Sequence, residues 1–287
     1  MKPRYHDQIG ELARLQNWTD IMSSLHPFHD EIAKGLRELY SESIPEAGIV
    51  VERLASGLLR YSRANPTSCD IYLHDIQPAQ VPELLERIST DFADRSLNIY
   101  VDDRARDARL GPRLVTGGIE RHNATTILAY CGGAPQGVER DDVTIETVSD
   151  DFALYEAVRT KLMAFANSEE EPQANAIEEE FAIRKSEMPV GARCVLARAE
   201  GEGAAMVSYY EMPDSLIFQL ATRLPFRGRG IARHLMELTI RGRLGEGGRS
   251  VLVNCDEEGT PAKFYRRLGF VDEVYWRQRY SLPHASG

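Results

Sequence analysis

The sequence predicts an α/β (α+β) chain, with a mixed central sheet flanked by helices. Three observations carry this expectation. Short apolar or alternating runs of strand type recur between amphipathic stretches of helical spacing. Two such runs, Cys194 to Ala199 and Ala204 to Tyr210, flank Glu200-Gly201-Glu202-Gly203 and read as an antiparallel hairpin. Residues 217–232 pass from an apolar strand-like run through Pro225 and Arg227-Gly228-Arg229-Gly230 into a helix bearing Ile231, Ala232, Leu235, Met236 and Leu238.

The 287 residues suffice for one large domain or two smaller ones, and 43% hydrophobic with 27% charged residues is ordinary for a globular protein. A net charge of −10 speaks against a general nucleic-acid binder, which needs a basic face. The charged start Met1-Lys2-Pro3-Arg4 does not resemble a signal peptide, and no run reaches the roughly 20 apolar residues that span a bilayer. Cys69, Cys131, Cys194 and Cys255 form no CxxC pair and read as reduced, mostly buried thiols of a cytoplasmic protein without a metal.

In chain order, the first 60 residues look helical, with Asp20 as a cap and Asp30 to Tyr40 at helical spacing; Val50 to Tyr61 is compatible with helix or strand. Ile71 to Leu73, Leu97 to Val101 and Thr125 to Tyr130 read as strands, and Pro82 to Phe92 and Ala105 to Leu114 as helices. The glycine and proline cluster at 132–137 is the best boundary, giving domains 1–135 and 140–287. Beyond it come a strand at Val143 to Val148, a helix around Phe152 to Ala166, and glutamate runs at 169–171 and 178–180 that read as solvated faces. After the hairpin and the 217–232 stretch, Ser250 to Asn254 is a strand, Thr260-Pro261 caps a helix, and Glu273 to Ser281 is the last strand.

A strand feeding a glycine turn that opens a helix suits an anion. The first helical turn has N–H groups without intrahelical partners, and its dipole adds partial positive charge. Glycines let a phosphate reach the backbone, and Arg227 and Arg229 add charge there, so a pyrophosphate fits. A nicotinamide-binding Rossmann domain fits poorly, because Arg233 stands where the third glycine belongs.

Residues 140 to 283 resemble the GNAT superfamily of acyl-CoA-dependent N-acetyltransferases, whose Arg/Gln-x-x-Gly-x-Gly/Ala signature is read here as Arg227-Gly228-Arg229-Gly230-Ile231-Ala232. Ala262-Lys263-Phe264-Tyr265-Arg266-Arg267-Leu268-Gly269-Phe270 resembles the family's late helix and Leu-Gly-Phe turn. The resemblance implies a mostly antiparallel sheet and acetyl-CoA (coenzyme A) as co-substrate. It implies that the amides from Gly228 to Ala232 hold the pyrophosphate and that Leu220, Ala221, Thr222 and Asn254 border the pantetheine arm. It makes Tyr265 the general acid for the departing thiolate and a small-molecule amine the acceptor, in a monomer or homodimer; Glu211 and Asp214, which follow a strand near the cleft, are candidate general bases, with water as the alternative. Two departures stand out: Glu258 occupies a position where the family often has asparagine, and the proline after the strand is shifted to Pro225. The alternative is a non-catalytic acyl-CoA-binding sensor or interaction protein.

The layout Asn98 to Asp102, helix, Gly117-Gly118, strand to Tyr130 parallels Ser250 to Asn254, helix, Leu268-Gly269, strand to Tyr280. It is similar to tandem-repeat, mycothiol synthase-like members, which implies two GNAT-like halves, the first degenerate because nothing before Pro82 matches Arg227-Gly228-Arg229-Gly230.

Overall fold

The structure, a computed structural model, describes residues 49–54, 57–62, 68–73, 76–91, 96–136, 140–211, 214–247 and 250–282. The helices expected before residue 49 lie outside these residues. In chain order come strands β1 (Ile49–Leu54), β2 (Gly57–Ser62) and β3 (Ser68–Leu73), helix α1 (Val81–Asp91), β4 (Ser96–Val101), α2 (Arg104–Thr116) and β5 (Glu120–Tyr130). Next are β6 (Thr144–Thr147), α3 (Asp151–Ala166), α4 (Ala174–Glu187), β7 (Ala192–Ala199), β8 (Glu202–Tyr210) and β9 (Asp214–Thr222). The series ends with α5 (Ile231–Gly245), β10 (Ser250–Asp256), α6 (Thr260–Leu268) and β11 (Phe270–Ser281). The mixed α/β class with a mostly antiparallel sheet is as expected: β3–β4 and β9–β10 are parallel, and β1–β2, β2–β3, β4–β11, β6–β7, β7–β8 and β8–β9 are antiparallel.

The chain forms two compact units, and the first takes residues from both sides of the 132–137 cluster. It comprises 1–127, 255–263 and 273–287; the second comprises 128–254 and 264–272. In the first unit the strand order is β1-β2-β3-β4-β11-β5. The ambiguous stretch from Val50 to Tyr61 is a hairpin, paired from Ile49↔Ser62 to Leu54↔Gly57. Strand β4 alternates between half-buried and buried positions, and its Leu97, Ile99 and Val101 meet Leu110 and Leu114 of α2 in the core. Helix α2 begins at the cap Asp103, whose carboxylate accepts from the Arg106 amide at 2.7 Å. Tyr280 of β11 is fully buried in the same core, and its hydroxyl donates to Asp107 of α2. The last strand of the chain thus completes the core of its first unit.

In the second unit the order is β10-β9-β8-β7-β6. The β7–β8 connection is tighter than expected. Glu200 (φ 58°) and Gly201 (φ 82°) form a two-residue turn, and Glu202 and Gly203 already belong to β8. Helix α3 starts at Asp150, which accepts from the Ala153 amide at 2.8 Å, and ends at the left-handed Asn167. It packs Leu154, Ala157, Val158 and Ala164 onto Leu196, Met206 and Ala221 of the sheet. The glutamate runs are more than solvated faces. Glu171 pairs with Arg159 at 2.5 Å, Glu180 with the buried Lys161 at 2.5 Å, and Glu169 with the buried Arg223.

Candidate active site

Strand β9 positions the site. Its parallel ladder with β10 runs from Asp214↔Ser250 to Ile217↔Val253 and stops there. On the other side, Ser208 of β8 faces Gln219 while Tyr209 faces Ile217, so Phe218 is an extra residue in a bulge. A bulge bends and twists its strand. Residues 218–222 therefore turn from β10 and, among the described residues, present a backbone edge with no ladder partner on that side. Such an edge can pair with an extended chain carrying amides. Leu220 and Thr222 are half-buried along it and Ala221 is buried.

Two side-chain acceptors flank the opening. Oε1 of Gln219 and Oδ1 of Asn254, the residue after the last β10 rung, are buried without a hydrogen-bond partner among the described residues. A buried acceptor left unmade costs roughly 1–3 kcal/mol, so these two are suited to an outside donor. Asn254 was a site residue in the sequence reading; Gln219 was missed. Its signal was a lone amide inside the apolar run from Leu216 to Ala221.

At the end of β9, Pro225 lies in a single 3-10 turn, Leu224–Phe226, and Arg227 to Gly230 form the turn into α5. Gly228 (φ 76°) and Gly230 (φ 77°) are left-handed, a conformation that costs an L-residue roughly 1–2 kcal/mol. A Cβ at Gly228 would meet nothing within 4 Å, so the backbone angle, not crowding, requires glycine there. Helix α5 differs from α2 and α3 at its start. Its cap is Gly230, without a side chain to occupy the first amides. The Gly230 carbonyl accepts from His234 at 3.0 Å, whereas the amides of Gly228, Arg229, Gly230, Ile231 and Ala232 have no acceptor among the described residues. Five free amides at a helix start form an anion cradle. These residues fit a pyrophosphate.

The arginines of the turn behave differently from the expected mobile charges. Arg227 is fastened: Nε donates to the Thr222 carbonyl (2.9 Å), Nη1 to Asn167 (2.6 Å) and Nη2 to the Ala164 carbonyl (2.7 Å). It ties the strand exit to the end of α3, and only its backbone remains for the cradle. Arg229 pairs with Glu200 at 2.7 Å and stacks on Phe226. Arg140, which the sequence did not single out, donates to the Arg229 carbonyl at 2.7 Å and pairs with Asp142. Its charge, together with burial, lowers the His234 pKa.

Tyr265 of α6 is 6% exposed, edge-on to both Phe264 and Phe270. Glu211 precedes β9 at the end remote from the cradle, and its two oxygens are taken by Arg193 (2.7 Å) and Arg243 (2.7 Å). None of the four cysteines forms a disulfide among the described residues, and burial pushes the Cys131 and Cys194 thiols up to about 11, leaving them protonated at neutral pH. Among the described residues no cluster of His, Cys, Asp and Glu could hold a metal, and no helix is long and apolar enough to cross a membrane.

Residues 191–272, which include the cradle and Tyr265, match the family model described as "Acetyltransferase (GNAT) domain". The fold of the chain is similar to that of a GCN5-related N-acetyltransferase from Kribbella flavida (18% identity, 82% of this chain and 90% of that chain, TM-score 0.56). It is also similar to one from Sphaerobacter thermophilus (18% identity, 79% and 76%, TM-score 0.59). A tandem GNAT protein from the clavulanic acid biosynthesis pathway aligns over 82% of this chain and 83% of its own (14% identity, TM-score 0.58). At these identities the likeness is one of fold. No curated protein matches the chain in sequence.

Proposed function

We propose that this protein is an acetyl-CoA-dependent N-acetyltransferase that transfers the acetyl group to the primary amine of a small molecule by direct attack in a ternary complex. The observation that carries the reading is the conjunction of unpaired amides at Gly228 to Ala232 with the open edge of residues 218–222. In this reading the cradle holds the pyrophosphate of coenzyme A, and the pantetheine amides pair along Leu220, Ala221 and Thr222. Gln219 and Asn254 supply acceptors for donors on the same arm. The coenzyme brings the activated thioester; the chain orients it and supplies a proton. Tyr265 gives that proton to the departing thiolate as the amine nitrogen bonds to the acetyl carbon. The amine's own proton leaves through water, because both oxygens of Glu211 are already engaged by guanidinium groups.

The two units are further read as tandem GNAT-like halves, the first without a cradle. The βαβ layout of β4-α2-β5 and β10-α6-β11 supports this, as does a fold match to a tandem protein that extends over more of the chain than either unit.

Calorimetry with acetyl-CoA tests the reading. The wild type is expected to bind, and Gly230→Glu, which puts a carboxylate and a strained angle into the cradle, to lose at least ten-fold in affinity. Equal affinity in the two proteins would refute the assignment. Release of free coenzyme A across a panel of amines identifies the acceptor, while binding without turnover on any amine favours the sensor alternative.

A further inference from the structure

We propose a second ligand site in the first unit: a pocket for a small oxyanion-bearing molecule, built on β4, β5 and β11 around Arg277 and Arg279. It is independent of the acyltransferase reading.

The pocket is a cavity of about 640 Å³ on the sheet, within the range of small-molecule sites. Two arginines of β11, Arg277 and Arg279, line it against one acid, Asp256, whereas Arg121, also in the lining, turns its guanidinium to the opposite face of the sheet. This positive concentration occurs in a chain of net charge −10, so it does not follow from overall composition. Arg121 is held by Asp107 of α2 (2.8 Å) and by Gln278 (3.1 Å). The other two stand two apart on β11 and therefore project from the same face of the sheet. Register puts Arg279 opposite Tyr100 of β4, and the Arg277 guanidinium lies 4.8 Å from the centre of that tyrosine ring. Tyr100 is stacked in turn on Tyr72 of β3, at 5.0 Å between centroids. Arg277 also reaches Thr125 of β5 at 3.4 Å. Arg279 is exposed and makes no ion pair among the described residues.

Like charges sharing one concave surface repel, and low-dielectric walls strengthen the field between them. An oxyanion lying between Arg277 and Arg279 removes that repulsion, and each guanidinium fork matches the paired oxygens of a carboxylate or phosphate. The rest of the lining is largely polar, and Asn123, Thr125 and Asp256 offer groups to set the orientation of such a ligand. The size of the pocket suits a small molecule better than a polymer, which would need a basic surface extending beyond one pocket.

Full-length protein titrated with inorganic pyrophosphate and, separately, with citrate tests the site. The Gly230→Glu variant is run in parallel, because pyrophosphate can also enter the cradle. The expected result is that at least one anion binds Gly230→Glu as it binds wild type, and binds Arg279→Glu at least ten-fold more weakly. Arg279→Gln, milder toward folding, is expected to weaken binding in the same direction. Pyrophosphate alone identifies a phosphate ligand, citrate alone a carboxylate ligand, and both a general oxyanion site. No heat with either anion, binding lost only in Gly230→Glu, or binding unchanged in both Arg279 variants overturns the proposal.

Discussion

The Nη1 of Arg140 donates to the backbone carbonyl of Arg229 at 2.7 Å, so a side chain 89 positions away holds the middle of the cradle. The same guanidinium is braced by Asp142 at 2.7 Å, and a Cβ at Gly230 would approach it to 3.4 Å. A loop that must present five amides at fixed angles to an anion gains from such an anchor, because ordering it only on binding would cost affinity.

Arg140→Ala is therefore expected to weaken acetyl-CoA about ten-fold, the scale of one hydrogen bond to a charged group, with little change in thermal stability. Calorimetry beside a melting curve checks this. Unchanged affinity would mean that the turn holds its shape without Arg140.

Tyr265→Phe keeps the ring packing against Phe264 and Phe270 but removes the hydroxyl. Turnover is expected to fall about 10²-fold or more, the usual contribution of a positioned proton donor, with acetyl-CoA affinity almost unchanged. Steady-state rates and calorimetry on one preparation separate the two; equal loss in both would make Tyr265 a packing residue.

Glu211 bridges Arg193 of β7 and Arg243 of α5. Glu211→Gln is expected to lower the melting temperature by a few degrees and leave the pH dependence of kcat/KM in place, because the carboxylate clamps two arginines. Loss of the rise of kcat/KM with pH on the acidic limb, with stability intact, would return Glu211 to the role of base.

Gly111 of α2 lies against the Tyr280 hydroxyl so closely that an added Cβ would collide with it. Burial, together with the Asp107 carboxylate that accepts its hydrogen bond, raises the Tyr280 pKa and keeps the phenol neutral. Gly111→Ala is expected to cost about 1–3 kcal/mol through overpacking, and Gly111→Ala with Tyr280→Phe less than the sum of the two single changes. Denaturant titration of the three variants measures the difference.

Much of this molecule was legible in local pattern. Alternation in Leu97 to Val101 and the paired strands around Glu200-Gly201 each follow from backbone chemistry acting over a few residues. So did the cradle, because left-handed glycines before a helix leave their mark in the sequence itself. Val50 to Tyr61 stayed ambiguous, since a short apolar run satisfies both periods until a partner strand decides.

Other features depended on residues far apart in the chain. Whether Arg227 meets a ligand or ties down Thr222, Asn167 and Ala164 depends on where α3 ends relative to β9. The anchoring Arg140, the clamped Glu211 and the arginine pocket around Arg279 likewise come from distant segments brought together. The sequence by itself determined the strand-turn-helix that can receive a pyrophosphate, because that geometry is local. Tertiary structure alone decided which charges remain open to a ligand, because a side chain's partners are set by packing and not by its neighbours in the chain.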